Sequence, residues 1–120
     1  MAVRAIRGAT QLAADDPAEM AEAVQELITE MMQRNSAGAE SLISIILTAT
    51  PDLRSTFPAT AARGLGLGDV PLLSAQEVDV PGALPRVVRV MVHAEVDRPR
   101  AQIKHVYTRG AEVLRQDLAQ

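Results

Sequence analysis

The sequence predicts an α+β fold, a mixed β-sheet packed against one long helix. Two observations carry this. One segment holds every local signal of a helix, and most of the remaining apolar runs have the length and alternation of strands. A chain of 120 residues with 48% apolar content fits a single globular domain over 1–120 around one core.

The helix starts at Asp16. Asp16-Pro17-Ala18-Glu19 joins an N-cap, a proline at the first helical position and a capping-box glutamate. Met20, Val24, Leu27, Ile28, Met31 and Met32 then recur at three- and four-residue spacing, with Glu22, Glu26 and Glu30 off that stripe. Residues 35–38 end it. Before the helix, residues 3–9 read as a short strand. After it, residues 42–48 are almost continuously apolar, which predicts a strand buried on both faces. A short helix near 58–64, a glycine-alternating loop and a short strand over 70–74 follow. In the strand over 86–96, Val88, Val90, Val92, Ala94 and Val96 share one apolar face, and Val87, Arg89, Met91, His93 and Glu95 share the other. Residues 103–107 and 111–114 read as the last strands.

Composition excludes several functions. The net charge of −3, with no basic block and only Phe57 and Tyr107 as aromatics, is not the footprint of a nucleic-acid binder. There is no cysteine, hence no disulfide or thiolate-metal site, and His93 and His105 lack helical ligand spacing and a third ligand. No apolar run approaches membrane-spanning length, and Arg4 and Arg7 interrupt any signal-like stretch. A cytoplasmic protein is expected. Small apolar side chains bury little area each, which favours an oligomer.

Five residues stand out chemically. Arg7 shares its strand parity with Val3, Ala5 and Ala9, so it needs a partner or water; a rim arginine paired to a surface carboxylate is one reading. Arg89 sits among Val87, Val88 and Val90, either lining a pocket or paired to a cross-strand glutamate. Glu77 and Asp79 would share a face on a strand, and Tyr107 is either a site hydroxyl or a core tyrosine. No nucleophile elbow and no phosphate loop occurs.

In order along the chain, Arg4-Ala5-Ile6-Arg7-Gly8-Ala9-Thr10, Ala49-Thr50-Pro51-Asp52-Leu53, Phe57-Pro58-Ala59 and Val70-Pro71-Leu72 resemble the monofunctional barrel-type chorismate mutases. Gln76-Glu77-Val78-Asp79-Val80, Arg89-Val90-Met91, His105-Val106-Tyr107 and Val113-Leu114-Arg115-Gln116-Asp117-Leu118 extend the resemblance over essentially the whole chain. It implies a pseudo-α/β-barrel assembled as a homotrimer, with sites at subunit interfaces and a mobile C-terminal segment from about 111. The implied activity is the Claisen-type rearrangement of chorismate to prephenate, which needs no cofactor or metal. Carried onto this chain, Arg89 and Glu77 would be catalytic, at the ether oxygen and the ring hydroxyl. Arg7 and Tyr107 would bind the enolpyruvyl carboxylate, and Arg63 and Arg115 the ring carboxylate. Phe57, with Ala59, Leu72 and Leu73, would form an apolar wall, and Ser74 would contribute its backbone. Thr60 stands at an entrance position where the family often has lysine, and Ser74 where it has a cysteine-type residue. A non-catalytic ligand-binding trimer on the same scaffold, or a trimeric imine deaminase, is the alternative.

Overall fold

The computed structural model describes residues 1–115. Its elements are β1 (Ala2–Gln11), α1 (Pro17–Arg34), β2 (Leu42–Ala49), α2 (Pro58–Gly64), β3 (Leu72–Gln76), β4 (Val87–Val96) and β5 (Val106–Thr108). Three short 3-10 helices connect them, at Ala39–Ser41, Arg100–Gln102 and Ala111–Leu114. The strands form one sheet in the order β3-β2-β4-β1-β5. β4 runs antiparallel to both β1 and β2, and β3 and β5 add parallel edges.

The N-terminal signal of α1 works as its residues suggest. The Asp16 carboxylate accepts from the Glu19 backbone N–H at 2.9 Å, a contact worth about 1 kcal/mol. Glu19 reaches further back than a capping box requires, accepting from the N–H groups of Ala13 and Ala14 at 2.5 and 3.2 Å. Met20, Val24, Leu27, Ile28 and Met31 are buried against the sheet, and Met32 packs at the margin. The sheet answers with Ile6, Ile45, Leu47 and the predicted β4 face of Val88, Val90, Val92, Ala94 and Val96, all buried. Gly8 permits the close approach of α1 to β1, because a Cβ there would lie 2.5 Å from Met31 Sδ and 3.0 Å from the Val106 carbonyl oxygen.

Several expectations are corrected. The helical layer holds α2 as well as α1, with Ala61 and Ala62 of α2 in the core. β2 is buried on one face only: Ile45, Leu47 and Ala49 point inward while Ile43 and Ile46 are exposed, because both helices lie on the same side of the sheet. β1 runs on to Gln11 and β3 starts at Leu72. Residues 111–114 form a 3-10 helix, not a strand. Glu77 and Asp79 lie beyond the end of β3, so they do not share a strand face. Ala111 is buried, and the expected C-terminal segment from about 111 runs on into residues 116–120, including Gln116-Asp117-Leu118, which fall outside the described residues. Among the described residues no helix is long and apolar enough to cross a membrane, and no cluster of His, Cys, Asp and Glu could hold a metal ion.

Part of the Ala49-Thr50-Pro51-Asp52-Leu53 stretch acts as a latch. Thr50 Oγ1 accepts from the Val87 N–H at 3.0 Å and donates to Asp52 Oδ1 at 2.6 Å. Asp52 in turn accepts from the backbone N–H of Arg86 at 3.0 and 3.2 Å. Arg86 has φ +53°, an uncommon backbone state for a non-glycine residue that its surroundings must hold in place. The latch pins the start of β4 two residues before Arg89.

Candidate active site

The face of the sheet away from the helices carries the unusual residues, and strand register decides which of them meet. Thr48 pairs with Arg89 across β2 and β4, Arg89 with Ala9 across β4 and β1, and Ala9 with Tyr107 across β1 and β5. One row therefore places Thr48, Arg89 and Tyr107 on neighbouring positions. The next row brings Ile46, Met91 and Arg7 together. These residues, with Arg115 just past the last 3-10 helix, line an open hollow of about 420 Å³.

Glu77 enters this row from the edge. Its backbone N–H donates to the Ala49 carbonyl at 2.9 Å where the chain leaves β3. Its carboxylate accepts from Arg89 Nε at 3.1 and 3.2 Å and from Thr48 Oγ1 at 2.6 Å. Arg89 is thus ion-paired to a glutamate, as one reading anticipated, but Glu77 comes from the chain just past β3 and not from a strand paired with β4. These bonds use Nε, on the stem side of the guanidinium, and no other described group bonds the two terminal nitrogens. With the Arg89 side chain 45% exposed and Glu77 18%, the pair contributes at most about 1 kcal/mol to folding.

Arg7 has no carboxylate partner among the described residues, so the rim ion pair is not formed. Its backbone N–H donates to His105 Nδ1 at 3.0 Å. That bond requires Nδ1 to be unprotonated. Burial, then the nearby charges of Arg7 and Arg115, hold the His105 pKa below the ordinary imidazole value. Tyr107 is buried with Ala9, Val87 and Ala111 in a small cluster on this outer face, while still lining the hollow. Both anticipated roles are open to it. A second hollow of about 400 Å³, bordered by Arg4, Arg100 and His105, shares Arg7 and Met91 with the first.

The remaining candidates lie elsewhere. Phe57 N-caps α2 and is 71% exposed, Thr60 and Arg63 are exposed on α2, and Arg63 Nη2 donates to Thr60 Oγ1 at 3.2 Å. Leu73, 63% exposed, and Ser74 lie on edge strand β3. Ala59 is buried and Leu72 packs against the main core. Four strand spacings separate β3 from β5, or about 19 Å at roughly 4.8 Å each. One chain therefore assembles Arg7, Glu77, Arg89, Tyr107 and Arg115 at the hollow, whose lining does not include Phe57, Thr60, Arg63, Leu73 or Ser74.

Thr48, Ile46 and Met91 were not among the sequence candidates. Their signal was β2 and β4 parity, since each faces the side that carries Arg89.

The family model described as "Chorismate mutase type I" matches residues 3–118. A chorismate mutase AroH of Thermus thermophilus is 48% identical over 117 residues, covering 97% of this chain and 96% of the relative. The AroH of Bacillus subtilis (strain 168) is 40% identical over 120 residues, covering 99% and 94%. A solved chorismate mutase structure from Clostridium thermocellum superposes with a TM-score of 0.89 at 43% identity, over 91% of this chain and 97% of that one.

Proposed function

The chain belongs to the type I chorismate mutases and is an isomerase of aromatic amino acid biosynthesis; from that premise we propose that the hollow beside Arg89 is one half of its active site. The observation that carries this is the convergence of Arg7, Glu77, Arg89 and Tyr107, drawn from across the chain, on one row-and-a-half of the sheet.

Chorismate carries two carboxylates, and its rearrangement breaks an ether C–O bond while forming a C–C bond within one molecule. No nucleophile or external proton donor enters that balance. What the protein supplies is a compact substrate conformer and fixed positive charge. Arg7, Arg89 and Arg115 line the hollow, giving it a cationic surplus over Glu77 that suits a dianion. The Arg89 terminal nitrogens donate to the ether oxygen as negative charge grows there, while Nε stays with Glu77. Arg7 and the Tyr107 hydroxyl bind the enolpyruvyl carboxylate. Glu77, held on one side of the hollow, accepts from the ring hydroxyl. Arg115 meets the ring carboxylate.

We assign the missing wall to a neighbouring subunit of a homotrimer. Its Phe57, Leu73, Thr60, Arg63 and the Ser74 backbone would close the hollow, with Ala59 and Leu72 stiffening that wall from behind. Support comes from the exposure of Phe57 and Leu73 and from the bare apolar outer face at Val3 and Ile46, areas a soluble chain normally covers.

Mixed trimers test the division. Arg89→Ala subunits co-refolded with Arg63→Glu subunits in equal amounts should regain activity, with about a quarter of sites rebuilt if assembly is random and closed. Arg7→Ala mixed with Arg89→Ala should regain none, because both residues come from one chain. No recovery in the first mixture, recovery in the second, or a fully active monomer would overturn the assignment.

A further inference from the structure

We propose that Thr48 is a positioning residue for the rearrangement: its hydroxyl fixes the Glu77 carboxylate, which in turn fixes the Arg89 guanidinium. The proposal rests on the active-site assignment above. Glu77 Oε2 is shared by two donors, Thr48 Oγ1 at 2.6 Å and Arg89 Nε at 3.1 Å, and Oε1 takes a second contact from Arg89 at 3.2 Å. The three groups are not equally rigid. Arg89 is a long side chain with its end half in solvent, and Glu77 lies past the end of β3, where its 2.9 Å bond to Ala49 fixes only the backbone. Two flexible side chains holding each other define no position in space. Thr48 is short, β-branched and restricted at χ1, and it stands on β2 between β3 and β4, paired with Ala75 on one side and Arg89 on the other. It is the member that ties the pair to the sheet.

The consequence is directional. A threonine hydroxyl has one proton to donate, and here it goes to the carboxylate. With Oε2 anchored, Arg89 is held by Nε and its terminal nitrogens stay available for the reacting oxygen. Loss of the hydroxyl leaves the charges present but their aim undefined, which affects the transition state more than substrate capture.

The experiment is steady-state chorismate turnover with Thr48→Val, which has nearly the same shape without the hydroxyl, and Thr48→Ser, which restores it. Thr48→Ala is carried alongside as a second truncation, with circular dichroism and melting to verify folding. We expect Thr48→Val to lower kcat roughly tenfold, the scale of one hydrogen bond to a charged group, with KM within about threefold. Thr48→Ser should recover most of it. In an Arg89→Ala background, Thr48→Val should lose most of its effect on kcat, because there is no longer a guanidinium to aim. If Arg89→Ala collapses turnover while Thr48→Val and Thr48→Ala stay within twofold of the parent, the positioning role is wrong and the active-site assignment stands. If Arg89→Ala itself is fully active, the assignment fails first. A loss that falls on KM and persists without Arg89 would mean that Thr48 contacts substrate directly, which also overturns the proposal.

Discussion

Replacing Arg89 by alanine should separate catalysis from stability on this scaffold. Among the described residues the guanidinium makes one ion pair, to Glu77, with contacts of 3.1 and 3.2 Å, and its side chain is 45% exposed. An ion pair that wet is worth at most about 1 kcal/mol to folding, and Glu77 keeps its 2.6 Å bond from Thr48 when Arg89 is gone. The fold and assembly should therefore survive. The catalytic loss is set by a different quantity, the stabilisation of charge that exists only in the transition state. Removing one preorganised donor of that kind costs about 2.7–4 kcal/mol, or roughly 10²–10³-fold in kcat. The two effects differ severalfold in energy, so they can be told apart. Arg89→Lys keeps a charge but has no fork with which to serve Glu77 and the substrate together, and a loss of similar order is expected. The assay is initial-rate chorismate consumption on variants whose melting and assembly match the parent. Arg89→Ala turnover within a few-fold of the parent would show that the guanidinium is a structural partner of Glu77 and nothing more.

Gly8→Ala should destabilise the protein by about 1–3 kcal/mol through overpacking, since the added Cβ meets both Met31 Sδ and the Val106 backbone oxygen; melting several degrees below the parent is expected, and an unchanged melt would mean that α1 can lift off β1 freely. His105 should make stability depend on pH. Its folded pKa is lowered from 6.5 by burial, then by Arg7 and Arg115, so below 6.5 the unfolded chain binds more protons than the folded one and stability falls as pH falls. His105→Asn offers the Arg7 N–H a non-titrating acceptor and should flatten the melting-temperature profile below about pH 6.5; parallel profiles for parent and variant would remove His105 as the cause.

Local chemistry was legible residue by residue. Asp16, Pro17 and Glu19 mark the start of α1 without help from anything distant, because caps act within one turn. The valine alternation in β4 identifies its core face for the same reason, since a strand has only two faces. Arg7 and Arg89 could be singled out because a guanidinium on a largely apolar strand needs an explanation wherever the strand lies. Tertiary structure decided the rest. Whether β2 is covered on one face or two depends on where α1 before it and α2 after it come to rest, and both came to the same side. The segment over 111–114 is as apolar as a short strand, yet it turns as a 3-10 helix with Ala111 packed beneath it against Ala9, Val87 and Tyr107. Thr48 carries no local mark at all. It matters because strand register sets it opposite Arg89 and within 2.6 Å of Glu77, and register is a property of paired strands that no single strand contains.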